Sequence, residues 1–200
     1  HDEVLEEIRK ISEYIEQLEK SQRPEFEGNL STAFGCTLEG KVSEDLVLKL
    51  GARMMELGCD EIGLSDTTGY ANPNQIKRLI RLLNKEVGQE NLKSMHLHNT
   101  RGLGLANALA SLEEGITTLD SSLGGIGGCP FAPGASGNIV TEDLVFMLDA
   151  MGVETGIDIN KLLEVTNKVQ SFIPDESIYG FTKDSGLPIG YEKGWGIVRS

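Results

Sequence analysis

Glu61-Ile62-Gly63-Leu64-Ser65 runs into Asp66-Thr67-Thr68-Gly69, then into Pro73 with Ile76, Leu79, Ile80 and Leu83, and then into Ser94-Met95-His96-Leu97-His98. A short apolar run that stops in turn residues predicts a strand. A proline ahead of apolar residues at helical spacing predicts a helix opening at Pro73. A second short run follows, so the stretch is a strand–helix–strand unit with parallel strands.

The same unit repeats on either side. Upstream, Asn29 to Cys36 is predicted as a strand, and Ser43 as the cap of a helix that turns Leu46, Leu50, Met54 and Leu57 inward. Before it, residues 3–20 carry Val4, Ile8, Ile11, Ile15 and Leu18 on one helical face, and Ser21 to Gly28 reads as a loop. Downstream come a helix from Leu103 to Glu114, a strand from Thr117 to Ser122, a glycine-rich loop from Gly124 to Asn138, and helices over Glu142–Met151 and Asn160–Phe172. Gly180 to Ser200 has no clear period and reads as a surface tail or an interface segment.

Four strand–helix units imply an α/β fold with a parallel sheet and helices outside it. They make half of a (β/α)8 TIM barrel, which takes about 250 residues when complete. An open flavodoxin-like sheet is the structural alternative. A half-barrel would leave unpaired edges near Leu30 and Leu119 and an open apolar inner face.

Apolar residues make up 39% of the 200-residue chain and charged residues 24%, with a formal net charge of −13. Such a surface repels nucleic acid, and no apolar run is long enough for a bilayer. Three widely spaced cysteines, Cys36, Cys59 and Cys129, suit a reduced intracellular setting better than a disulfide framework. The first residues lack a signal-peptide core and an initiator Met, so the chain is expected to be part of a longer one. The cytoplasm is the expected compartment, with a mitochondrial one left open.

Three places carry chemistry. In His96-Leu97-His98, residues two apart on a strand share one side, which brings two imidazoles to one space and suits a divalent metal; two polar residues at a strand end are the alternative. The loop from Gly124 to Asn138 has six glycines in fifteen residues around Cys129, which suits a mobile lid with a reactive thiol; an incidental Cys in a surface loop is the alternative. Asp66 ends its strand on the face where barrel active sites lie, although Asp-Thr-Thr-Gly is also good turn chemistry. Glu142 and Asp143 suit a helix N-terminus that Thr141 would cap.

The chain resembles the 3-hydroxy-3-methylglutaryl-CoA lyase family of metal-dependent lyase barrels. The resemblance is carried by Phe34-Gly35-Cys36 with Glu39-Gly40-Lys41, by Glu61 to Gly69, by His96-Leu97-His98-Asn99-Thr100-Arg101-Gly102, and by Asp120-Ser121-Ser122 through Gly127-Gly128-Cys129-Pro130 to Gly137-Asn138 and Glu142-Asp143-Leu144. It implies that His96, His98 and Asn138 bind a divalent metal, Mg²⁺ or Mn²⁺, with Zn²⁺ also compatible. It implies Cys129 and His96 as catalytic groups, and Asp66 and Glu142 as groups near the substrate or behind the ligands. The expected partner is an acyl-CoA substrate and the expected assembly a homo-oligomer, a dimer.

The resemblance makes residues 1–172 the C-terminal half of the barrel and 173–200 the tail or interface segment. The implied reaction is retro-Claisen cleavage to acetyl-CoA and a keto acid such as acetoacetate. A Claisen-type synthase and a noncatalytic half-barrel are the alternatives. Two departures stand out. Asn99 and Arg101 replace an Asp and a Tyr of the best-known members, and no Arg–Asp pair of the family's first strand is present, so four strand–helix units are expected ahead of His1.

Overall fold

A computed structural model describes residues 1–128 and 137–194. Helix α1 (Asp2–Glu16) leads into strand β1 (Glu27–Leu30), followed by α2 (Glu44–Glu56), β2 (Glu61–Asp66), α3 (Pro73–Val87), β3 (Leu92–Leu97), α4 (Gly104–Glu113), β4 (Thr118–Asp120), α5 (Thr141–Ala150), α6 (Ile159–Phe172) and the short α7 (Phe181–Ser185). The four strands form one sheet in the order β1-β2-β3-β4, and every pairing is parallel.

That order decides between the two architectures. A doubly wound open sheet reverses its strand order at a switch point. Here each strand lies beside its predecessor, and α2 packs on α3 and α3 on α4. All three crossover helices therefore lie side by side over one face, as barrel winding requires.

Helix α3 forms for local reasons as well. The Asn72 side chain accepts from the Asn74 and Gln75 amides, the Gln75 side chain accepts from the Asn72 amide, and Pro73 occupies the first turn. Its face of Ile76, Leu79, Ile80 and Leu83 is at most 1% exposed and joins Ile62, Leu64, Met95 and Leu97 in one core.

Several boundaries differ from the sequence reading. The first helix ends at Glu16 rather than 20, in a turn at Gln17 and Leu18. Strand β1 ends at Leu30 rather than Cys36, because the chain then leaves the parallel register: Thr32 meets Asp66 in an isolated antiparallel bridge and the Ala33 amide bonds the Ser65 carbonyl. Ser43 sits at the N-cap of α2 but its side chain makes no capping bond. Val140, not Thr141, is the N-cap of α5, and the Thr141 hydroxyl bonds Ser121 instead.

The expected apolar inner face is also corrected. Period-two alternation sends Ile62, Leu64, Met95 and Leu97 under the helices. The opposite side of the strands is polar: Asn29 bonds Glu27 and Ser65, and His96 lies beside Asp120.

Asp66 shows why the β2–α3 turn holds its shape. Its carboxylate, 1% exposed, accepts from the Tyr70 and Ala71 amides at 2.8 and 3.1 Å. Burial pushes its pKa up to about 6 from 3.8, against the pull of those amides and of Arg101.

Two outcomes are expected in the intact protein. Leu83→Ala should cost about 2–5 kcal/mol, read by denaturant titration, since it empties a fully buried site. A carboxyl whose pKa is raised on folding contributes stability that is complete below 3.8 and lost as pH rises through about 6. Asp66→Asn should therefore flatten the stability–pH curve across that window, and an unchanged slope would assign the slope to other groups.

Candidate metal and acyl-binding site

Strand β3 delivers His96 and His98 to the same side, and their Nε2 atoms lie 3.1 Å apart. Two metal–nitrogen bonds of about 2.0–2.1 Å hold their nitrogens roughly 3 Å apart at a right angle, and roughly 3.4 Å apart at a tetrahedral one. The observed spacing fits two adjacent ligands of one cation. It also suits an N–H···N bond between neutral tautomers.

The remaining ring nitrogens differ in surroundings. Nδ1 of His96 is 3.4 Å from an Asp120 carboxylate oxygen, an arrangement that can orient the ring. Nδ1 of His98 is buried without a hydrogen-bond partner among the described residues. Burial and then the neighbouring His96 push the His98 pKa down to about 4, and the Gly137 carbonyl counteracts this weakly. His98 is thus held as a neutral imidazole, the form that ligates metal.

Asn138 joins the pair through the backbone. It bridges to His98 across an isolated antiparallel contact, and flanking bonds run from Asn99 N to Gly137 O and from Ile139 N to Leu97 O. Its amide donates to Ser122 Oγ at 2.7 Å and to the Ile126 carbonyl at 3.1 Å. Both donors are used, and Oδ1 is buried without a partner among the described residues. An orphaned buried acceptor costs free energy unless something binds it, and a hard cation would. Gly137 makes this approach possible: at φ +96° its Cβ position lies 2.0 Å from the Gly125 carbonyl, so any side chain there would collide.

Among the described residues no group of three His, Cys, Asp or Glu side chains is placed to hold a metal ion. The donor set available is two imidazoles and an amide oxygen. Such N and O donors, open on the remaining sides, fit a divalent cation that completes its shell with substrate, water or further ligands.

The other predicted residues fall behind this set. Glu142 is fully buried; both its oxygens accept from the Gly124 amide at 3.1 Å, and it also bonds the Thr166 hydroxyl. It fixes the entry to the glycine-rich loop. Asp66 spends both oxygens on its own turn, as described above. Cys129 lies outside the described residues.

Asp120 stood in the sequence reading only as part of the resemblance, with no role given to it. Its signal is the β3–β4 register, which sets it opposite His96 and which no motif states. The segment Ile178–Thr182 escaped the sequence reading. There the Tyr179 amide bonds the Gly124 carbonyl and its hydroxyl reaches the Asn138 carbonyl at 3.3 Å. Asp143 anchors that segment through the Phe181 and Thr182 amides. Irregular sequence gave no period from which to expect this packing.

Comparisons with known proteins identify the family and the fold. Residues 1–169 match the family model described as HMGL-like. The chain is 44% identical over 140 residues to human mitochondrial hydroxymethylglutaryl-CoA lyase, covering 70% of this chain and 43% of that protein. It is 43% identical over 137 residues to the rat cytoplasmic 3-hydroxy-3-methylglutaryl-CoA lyase, covering 68% of this chain and 40% of that one. An HMG-CoA lyase from Acinetobacter baumannii, solved in complex with coenzyme A and 3-methylmalate, superposes with a TM-score of 0.81 at 42% identity, over 91% of this chain and 58% of that one. The chain therefore spans less than half the length of these curated relatives. Their compartments differ, and no helix among the described residues is long and apolar enough to cross a membrane. With the parallel half-sheet, the paired imidazoles and a family model matched over residues 1–169, the chain belongs to the HMGL-like family.

Proposed function

We propose that this chain forms the metal-binding half of a divalent-metal-dependent carbon–carbon lyase that cleaves 3-hydroxy-3-methylglutaryl-CoA or a close branched 3-hydroxyacyl-CoA. The observation that carries the reading is the pair of Nε2 atoms 3.1 Å apart beside a loop that ends in an orphaned amide oxygen. The relatives named as hydroxymethylglutaryl-CoA lyases support the reaction, and the neighbour solved with coenzyme A and 3-methylmalate supports an acyl-CoA with an oxygen-rich acyl chain.

His96, His98 and Asn138 would hold the cation, Mg²⁺ or Mn²⁺ by the family resemblance, with Zn²⁺ also compatible with two imidazoles and an amide oxygen. A cation there supplies a Lewis acid that lowers the pKa of the substrate hydroxyl and polarises a neighbouring oxygen. Loss of the hydroxyl proton lets the carbon–carbon bond break, giving a ketone product such as acetoacetate and a thioester enolate. The enolate takes up a proton to become acetyl-CoA. The loop thiol of Cys129 is the group assigned to proton transfer, while His96, whose Nε2 would take the cation and whose Nδ1 faces Asp120, would serve the reaction as an oriented ligand. Glu142 and Asp143 keep the loop's base and Asn138 in register. The homo-oligomeric assembly belongs to the same proposal.

Acetyl-CoA release from a panel of hydroxyacyl-CoAs by the intact protein, with and without chelator, tests the reaction. No release from any member, metal-loaded, would end the lyase reading. His98→Ala should lower bound Mn²⁺ at equilibrium because it deletes a ligand. Cys129→Ala should leave bound metal and melting temperature nearly unchanged while turnover falls by about 100-fold or more, the scale of a lost acid–base group. Unchanged turnover in that variant would remove Cys129 from the mechanism.

A further inference from the structure

A substrate thioester is an anion, and this chain carries a net charge of −13. Its reception depends on whatever cations stand at the C-terminal rim of the sheet. The four loops that follow the strands, residues 31–43, 67–72, 98–103 and 121–140, contain two of the chain's 18 basic residues, Lys41 and Arg101. Lys41 is an exposed, single-point charge on the loop after β1. Arg101 is different in kind.

Arg101 is held from one side and open on the other. Its Nη1 donates to the Thr68 carbonyl at 3.0 Å and the Gly69 carbonyl at 3.3 Å. Its guanidinium carbon lies 4.6 Å over the centre of the Tyr70 ring. Tyr70 in turn seats on Gly35, where a Cβ would come within 2.5 Å of the ring. Glycine, tyrosine and arginine thus stack across three successive rim loops, which fixes the guanidinium plane before any ligand arrives.

The Nε and Nη2 edge has no partner among the described residues. Arg9, Arg53, Arg78 and Arg81 are each neutralised by a glutamate. No carboxylate stands within ion-pair distance of Arg101 among the described residues, and nearby Asp66 has turned both oxygens to its own turn. A preorganised fork without a counter-ion, in an acidic protein, matches the two oxygens of a carboxylate.

We propose that the open Nε–Nη2 edge of Arg101 receives the free carboxylate of a dicarboxylic acyl thioester, making Arg101 the residue that selects substrates whose acyl chain ends in an acid. The inference rests on the lyase reading of the same rim. Position favours the acyl carboxylate over a phosphate of CoA. Arg101 is three residues beyond His98 on one loop, whereas the phosphates lie a whole pantetheine arm away from the reacting carbons.

Glutaryl-CoA tests this because it keeps the terminal acid and lacks the hydroxyl needed for cleavage. Calorimetric titration of the intact, metal-loaded protein would compare glutaryl-CoA, its monomethyl ester and its 3′-dephospho form. Wild type should bind the acid more tightly than the ester. Arg101→Gln should weaken the acid by about 10- to 100-fold, the scale of a charge-assisted pair, with little effect on the ester. Arg101→Lys, which keeps the charge and folds with less disturbance, should fall between. Equal losses on acid and ester, a loss that vanishes with the dephospho form, or no preference for the acid in wild type would each overturn the proposal. Acid-selective binding without acetyl-CoA release from any hydroxyacyl-CoA would instead retire the lyase reading and leave the carboxylate site standing.

Discussion

The pleat of β2 and β3 governs this structure. Ile62 and Leu64 on one strand, and Met95 and Leu97 on the next, are fully buried beneath the crossover helices. With side chains alternating at period two, their neighbours must project to the other side. That side therefore receives Ser65, His96 and, one residue past the strand, His98. The imidazole pair is a consequence of the same hydrophobic burial that fixes the strand register. A slip of one residue would send both histidines under α3 and Leu97 into the polar side, at the cost of two large buried contacts.

A second layer of control comes from the N-terminus of α5. Its two adjacent acids divide the work: Glu142 holds the Gly124 amide, and Asp143 holds the Phe181 and Thr182 amides. One end of the glycine-rich loop and the segment that overlies it are thereby tied to a single helix. Tyr179 closes the arrangement by bonding both Gly124 and the carbonyl of Asn138. The described ends of the glycine-rich loop are both held by polar contacts, Gly124 by Glu142 and Asn138 by Ser122 and the Ile126 carbonyl.

Much of the fold was legible because its signals are local. Pro73 followed by Ile76, Leu79, Ile80 and Leu83 announces α3, and the turn chemistry of Asp66 to Gly69 announces where β2 stops. His-x-His states that two imidazoles share a side once the segment is a strand. Less legible were features set by a partner distant in sequence. The end of β1 is set where the chain leaves the parallel register with β2 and Thr32 meets Asp66 in an isolated antiparallel bridge. Asp120 earns its place through the β3–β4 register, and Thr141 bonds Ser121 instead of capping its own helix. Residues 178–182 have no periodicity because their role is to satisfy particular amides and carbonyls, which leaves no repeating trace.

The sequence by itself determined the α/β class, the order of strands and helices, and the motif that sets His96 and His98 on one side, since periodicity and turn residues act over a few positions along the chain. The tertiary structure decided that the strands lie in consecutive order with all crossover helices on one face, and that the inner side of the sheet is polar. It also decided that, among the described residues, Asn138 presents an unpaired oxygen and Arg101 an unpaired guanidinium edge. The reason is that an open valence is a property of what does not stand nearby. Whether a donor or acceptor is satisfied depends on groups as far as 41 positions away, such as Tyr179 at the Asn138 carbonyl and Thr68 at Arg101, and those distances are fixed only when the sheet and its loops close.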